Sequence, residues 1–231
     1  MLDGDDSIAV CQPKIKDFNN KAYFQYLGAS GGYIDKYGYP FCRGNLFDTL
    51  EKDGGQFNNI EEIFWASGSS LFIRSRAYHN IGGLDEDFSA QLADLDLCWR
   101  LKNKGFKIMS CPTAEVYHVG NTNQAEARET FLNNRNSLLT FHKNHPKKGR
   151  LKQLFIRLCL DLIPCASFLL DGKPNHTWAI TRSHFAFYGS ILKNKTKREA
   201  IHHPNLNGML HKSIVNAYFI NKRKTFNELL K

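Results

Sequence analysis

Apolar positions divide the chain into a front part of short runs and a back part of helical stripes. Ile8-Ala9-Val10-Cys11 reads as a strand closed by Gln12-Pro13. Residues 17–62 are polar, aromatic and rich in glycine, which predicts loops with short strands near Tyr33–Ile34 and Asn45–Leu50. The run Ile63 to Ile73 predicts a strand pair or one kinked strand, with Gly68 permitting the bend. Ser75 is placed to cap a short helix through Ile81, ended by Gly82-Gly83. Leu92, Leu95 and Trp99 recur at i, i+3 and i+7, which predicts a helix from Ala90 to Lys104 with Ser89 as N-cap and Gly105 as stop. Phe106–Cys111 and Ala114–Val119 read as two strands around Pro112, and Thr130–Lys143 as a further helix.

The composition shifts at His145-Pro146-Lys147-Lys148-Gly149-Arg150, which predicts two segments, 1–145 and 146–231. Leu151–Leu170 is strongly apolar but carries Arg157, Asp161 and Pro164. A clean membrane span needs about 20 apolar residues without such interruptions. The pattern favours an interfacial or packed helix pair broken at Pro164. Trp178–Leu192 reads as another amphipathic helix.

Charge sharpens this division. Residues 1–145 hold 15 Lys and Arg against 18 Asp and Glu, and residues 146–231 hold 16 against 4. The net charge of +9 therefore resides in the tail, which implies an anionic partner: membrane headgroups, nucleic acid, or merely solvent. Nucleic acid ranks last, because no zinc, helix-turn-helix or base-stacking signature accompanies the charge. Leu154, Phe155, Leu158, Leu162 and Ile163 beside Lys147, Lys148, Arg150, Lys152 and Arg157 fit a membrane surface; the alternative is a helical cap with solvated lysines. The six cysteines form no CxxC pair and read as free thiols, which favours a reducing cytoplasm. Met1 to Asp6 is acidic and polar, unlike a signal peptide. Asn175-His176-Thr177 and Asn194-Lys195-Thr196 match short glycosylation sequons that a cytoplasmic protein does not use.

The chemistry concentrates in Asp94-Leu95-Asp96-Leu97-Cys98-Trp99-Arg100. On a helix Asp96 and Arg100 are i, i+4 neighbours, while Asp94 points about 200° away from Asp96. By themselves these residues also suit an ordinary helix start whose carboxylates complement the dipole. Trp65, with Tyr23, Tyr26, Tyr33, Tyr37, Tyr39 and Phe41, suits either sugar stacking or a small core.

In order along the chain come Gly82-Gly83-Leu84-Asp85-Glu86-Asp87-Phe88, Asp94-x-Asp96-Leu97-Cys98-Trp99-Arg100-Leu101, Gly105-Phe106-Lys107-Ile108 and Val116-Tyr117-His118-Val119-Gly120. This series, with Pro40-Phe41-Cys42-Arg43-Gly44 before it, resembles the family 2 inverting glycosyltransferases of the GT-A fold, a bacterial subgroup in particular. The resemblance implies an α/β chain: the C-terminal, acceptor-side half of a GT-A domain followed by a basic helical tail. It implies transfer of a sugar from a nucleotide-sugar donor to a glycan or lipid-linked acceptor. Asp94 matches the family's catalytic base, which takes the proton of the acceptor hydroxyl. Trp65, Arg43 and Asp96 are the implied substrate contacts. His118 matches a residue that contacts diphosphate or a divalent metal, Mn or Mg.

Two departures stand out, Ala93 where the family has Glu and Gln91 where close relatives often have His. Asp3-Gly4-Asp5 lacks the preceding strand that a metal-binding Asp-x-Asp requires. The resemblance therefore implies that the donor-binding half is missing, so that the isolated chain turns over weakly or not at all. The expected location is cytoplasmic, peripheral on the inner face of the cytoplasmic membrane. The rival is a non-catalytic membrane-surface or partner-binding module.

Overall fold

The structure is a computed structural model that describes residues 1–26, 28–88, 91–119, 126–146, 148–193 and 204–231. Two sheets and a set of helices make a mixed α/β architecture. The first sheet has the order β6-β8-β1-β7 and is built on a long parallel pair, β1 (Ile8–Asp17) and β8 (Lys107–His118). β7 (Phe72–Ile73) flanks β1 and β6 (Glu62–Ile63) flanks β8, both antiparallel. The second sheet is a meander of β2 (Gly32–Asp35), β3 (Pro40–Cys42), β4 (Asn45–Leu46) and β5 (Thr49–Leu50), joined by β9 (Met209–Leu210) parallel to β2.

Several sequence expectations are corrected here. β1 does not stop at Gln12-Pro13 but runs on to Asp17. Proline is tolerated because the ladder shifts register between Pro13 and Lys14, where no amide donor is needed. That shift leaves out Pro112 to Ala114 opposite, so the two expected strands around Pro112 are one bulged strand. β6 and β7 are not a strand pair with each other; each adds to a different member of the β1/β8 pair.

The helices are α1 (Ser75–Asn80), α2 (Ala93–Asn103), α3 (Ala127–Asn144), α4 (Arg150–Leu170), α5 (Pro174–Lys193) and α6 (Phe226–Leu230). Arg74, not Ser75, is the N-cap of α1. α2 starts three residues after the expected Ala90, behind Leu92; the expected cap Ser89 lies outside the described residues. Lys147, Gly120 and the sequon at Asn194 also lie outside them.

α4 is one helix through Pro164, not a pair broken there. A mid-helix proline forfeits one backbone bond and costs about 3 kcal/mol. Burial of Leu160, Asp161, Pro164 and Cys165 along one face opposes that cost. By length and composition α4 is also apolar enough to cross a membrane. Its two central charges nevertheless turn into the protein. Arg157 donates to Tyr37 O at 2.9 Å and Ser137 Oγ at 2.7 Å and lies 3.9 Å over the Tyr39 ring. Asp161 accepts from Tyr39 Oη at 2.5 Å and meets His184 Nε2 at 2.8 Å.

The tail closes over the front segment. Phe226 packs on Tyr33, Phe41 and Phe57, and Ile214 donates its N–H to the buried Asp35 carboxylate. Residues of both segments thereby share one hydrophobic cluster.

Candidate functional site

Asp94 sits at the second position of α2, at the edge of a turn formed by Ser67, Gly68 and Ser69. The Gly68 N–H donates to its Oδ2 at 2.7 Å and the Leu95 N–H to its Oδ1 at 2.8 Å. Its carboxyl is half-buried, and burial pushes its pKa above the ordinary carboxylate range against the pull of those backbone donors. The turn is itself anchored: Ser67 N–H donates to Gln12 Oε1 at 2.6 Å, and Gln12 Nε2 donates to Gly28 O at 2.9 Å. Gly28 has φ +122°, and a Cβ there would lie 2.8 Å from Ser67 Cβ, so glycine is required for the approach.

Leu92 is left-handed, with φ +61°, directly before α2. A non-glycine residue there costs roughly 1–3 kcal/mol, a strain that collects at functional sites. Beside it, Asn136 Nδ2 of α3 donates to Gln91 O at 2.6 Å. The Gln91 Oε1 atom is buried and has no hydrogen-bond partner among the described residues. A fixed carboxylate with a raised pKa, beside polar side chains, is equipped to take a proton from a hydroxyl group.

The other implied contacts are placed differently. Asp96 is completely buried and receives Arg100 Nε at 2.8 Å, Lys143 Nζ at 2.9 Å and Asn144 Nδ2 at 2.7 Å. This corrects the expectation of a substrate contact: both oxygens serve the packing of α3 on α2. Arg43 is buried, donates twice to Ser30 O, pairs with Glu61 and lies over Phe57. Trp65 is buried too, its indole N–H donating to Tyr33 O at 2.9 Å. Both side chains are core residues, which corrects the expectation that they contact substrate. Of the aromatic group, Tyr23 and Tyr26 reach the surface.

His118 ends β8 opposite Asp17, and its Nδ1 lies 3.3 Å from Gln25 Nε2. Among the described residues no three His, Cys, Asp or Glu side chains converge as metal ligands. Asp3 and Gly4 lie in a 3-10 turn, not at a strand end. All six cysteines are free.

Sequence reasoning missed Gln12, Ser67 and the strained Leu92. The only hint was a polar Gln inside an apolar strand.

No family model matches this chain. An N-acetylglucosaminyl-diphospho-decaprenol L-rhamnosyltransferase of Mycobacterium tuberculosis is 41% identical over 79 residues, which is 34% of this chain and 26% of that protein. The low-salt glycan biosynthesis hexosyltransferase Agl10 of Haloferax volcanii is 26% identical over 106 residues, 43% of this chain and 34% of that protein. The chain thus matches about a quarter to a third of the length of these relatives. Over the matched part, the chain is similar to enzymes that transfer sugars.

Proposed function

We propose that this chain is the acceptor-side half of a family 2 inverting glycosyltransferase of the GT-A type, with Asp94 as general base. The observation that carries the reading is the Asp94 carboxylate, oriented by the Gly68 and Leu95 N–H groups and raised in basicity by burial. The donor is a nucleotide-sugar and the acceptor a sugar on a lipid diphosphate or glycan, as the relatives' names suggest. The acceptor hydroxyl oxygen attacks the anomeric carbon while its proton passes to Asp94. The bond from that carbon to the donor's diphosphate oxygen breaks, and its electron pair leaves with the nucleoside diphosphate. Attack from the opposite face inverts the configuration.

The same reading places the chain peripherally on the cytoplasmic membrane. Leu151, Phe155, Leu162, Leu169 and Leu170 of α4 and Trp178, Phe185 and Tyr188 of α5 are exposed. Lys148 and Lys152 are exposed nearby in sequence, a combination suited to an anionic lipid surface. A membrane-binding module without turnover is the second reading, favoured by Ala93 in place of the family's Glu.

The test is sugar transfer from a panel of nucleoside-diphosphate sugars to a synthetic lipid-diphosphate-linked N-acetylglucosamine. Asp94→Asn is expected to lower the rate by about 100-fold or more at unchanged melting temperature. An Asp94→Asn protein as active as the wild type would remove the proposed base. The isolated wild type is expected to transfer weakly, and robust transfer would refute the half-domain reading.

A further inference from the structure

α3 and α5 run in the same direction. Thr130 meets His176, Asn134 meets Ser183, and His142 packs on Phe187. Their N-terminal ends therefore lie together and border a half-open cavity of about 490 Å³, within the roughly 300–1,000 Å³ usual for ligand sites. Its walls are Phe131, Leu132, Trp178 and Ala179, with Arg128 and Arg182 at their side.

Two features set its electrostatics. Arg128 and Arg182 have no carboxylate partner among the described residues, and Arg182 lies 5.3 Å from the Phe131 ring centre. The opening turns of two parallel helices add positive potential of their own. Glu129, the acidic residue in the first turn of α3, is not part of the lining; its charge bears on Tyr26.

The cavity is also connected to both ends of the proposed reaction. On one side, Trp178 and Phe185, three helix positions beyond Arg182, belong to the exposed apolar face of α4 and α5. On the other, Asn136 of α3 holds the Gln91 carbonyl, just before Asp94. Arg128 to Leu132 lie four to eight residues before Asn136, or about 6–12 Å along the helix axis.

We infer that this cavity is the subsite for the diphosphate and first isoprenoid units of a polyprenyl-linked acceptor, with Arg128 and Arg182 on the phosphates and Phe131, Leu132 and Trp178 on the hydrocarbon. The inference rests on the transferase reading above and names its acceptor class. The apolar walls alone suit any hydrocarbon, and the arginines alone suit any anion. Only an amphiphile with both parts uses the whole cavity and reaches the exposed apolar face.

The chain supplies its own reporter. Of its three tryptophans, Trp65 and Trp99 are buried, while Trp178 is 60% exposed at the cavity. Farnesyl diphosphate is expected to change the emission of the full chain saturably. Farnesol and inorganic pyrophosphate are each expected to bind at least ten-fold more weakly. Arg128→Gln with Arg182→Gln is expected to weaken farnesyl diphosphate binding ten-fold or more at unchanged melting temperature.

Equal binding of farnesol would make the cavity a plain hydrocarbon site, and equal binding of pyrophosphate a plain anion site. Equal displacement by a monomeric short-chain phosphatidylglycerol would make it a general phospholipid site. Each of these, or unchanged affinity in the double variant, overturns the inference. Transfer to a soluble acceptor is scored in parallel. Transfer unchanged by Asp94→Asn, with intact farnesyl diphosphate binding, removes the transferase reading alone, and Asp94-dependent transfer without that binding removes the subsite alone.

Discussion

Replacing Asp96 by alanine separates a structural role from a substrate role. Its carboxylate is fully buried and faces Arg100, Lys143 and Asn144. Arg100 also donates to Ile81 O at 2.7 Å and Gly83 O at 2.6 Å, tying the Gly82-Gly83 turn to α2. Lys143 reaches on to Asp85 at 2.6 Å. Truncating Asp96 removes the carboxylate that faces both the Arg100 guanidinium and the Lys143 ammonium.

Breaking a buried pair in this way costs roughly 3–5 kcal/mol. For a chain of this size that corresponds to a fall in Tm of about 6–20 °C. Urea unfolding, followed by the emission of the buried Trp65 and Trp99, measures the loss. Asp96→Asn keeps the size and one acceptor and is expected to lose less. Lys143→Met combined with Asp96→Ala is expected to cost less than the two single losses added, because the groups are in contact. An Asp96→Ala protein that melts within about 2 °C of the wild type, or strictly additive losses, would sink this account.

Three further outcomes are expected. Burial pushes the Asp35 carboxyl from 3.8 up to about 6, against the N–H groups of Tyr39, Ile214 and Tyr37. The folded state then holds the proton more tightly than the unfolded one, so the Asp35 contribution to stability grows as pH falls through about 6 and levels off near 4. The unfolding free energy of the wild type minus that of Asp35→Asn is expected to rise by as much as about 3 kcal/mol from pH 7 to 4; a flat or falling difference contradicts it. A Cβ on Gly32 would lie 2.2 Å from the Trp65 ring. Gly32→Ala should therefore cost about 3 kcal/mol by overpacking, whereas Gly172→Ala, at φ +70° in open space, should cost about 1–2 kcal/mol; urea midpoints compare the two. Phe155→Glu with Leu162→Glu is expected to cut co-sedimentation with anionic vesicles ten-fold or more without changing the circular dichroism, and unchanged co-sedimentation would remove the membrane face.

Some of this was legible in the residues themselves. The 3.6-residue recurrence of Leu92, Leu95 and Trp99 gave α2, which puts Asp94 at a helix start. Gly82-Gly83 ended α1, and the short apolar runs at Tyr33 and Asn45 became strands. Cysteine spacing indicated free thiols. These features depend on residues within a few positions of one another, so local geometry suffices.

Tertiary structure decided the rest. An aromatic residue beside glycines fits a sugar platform and a core equally well; the carbonyl of Tyr33, 32 residues away, made Trp65 a core residue. The i, i+4 partner of Asp96 is visible in the sequence, while Lys143 and Asn144, 47 and 48 residues on, are not. Pro164 breaks an isolated helix, but burial of its face against the protein holds α4 together. The parallel pairing of β1 with β8 joins segments about a hundred residues apart, and the cavity between α3 and α5 exists only once both helices have packed. Composition and periodicity record what each segment prefers to bury. Which partner it is buried against depends on contacts between distant residues, and those are formed only in the folded chain.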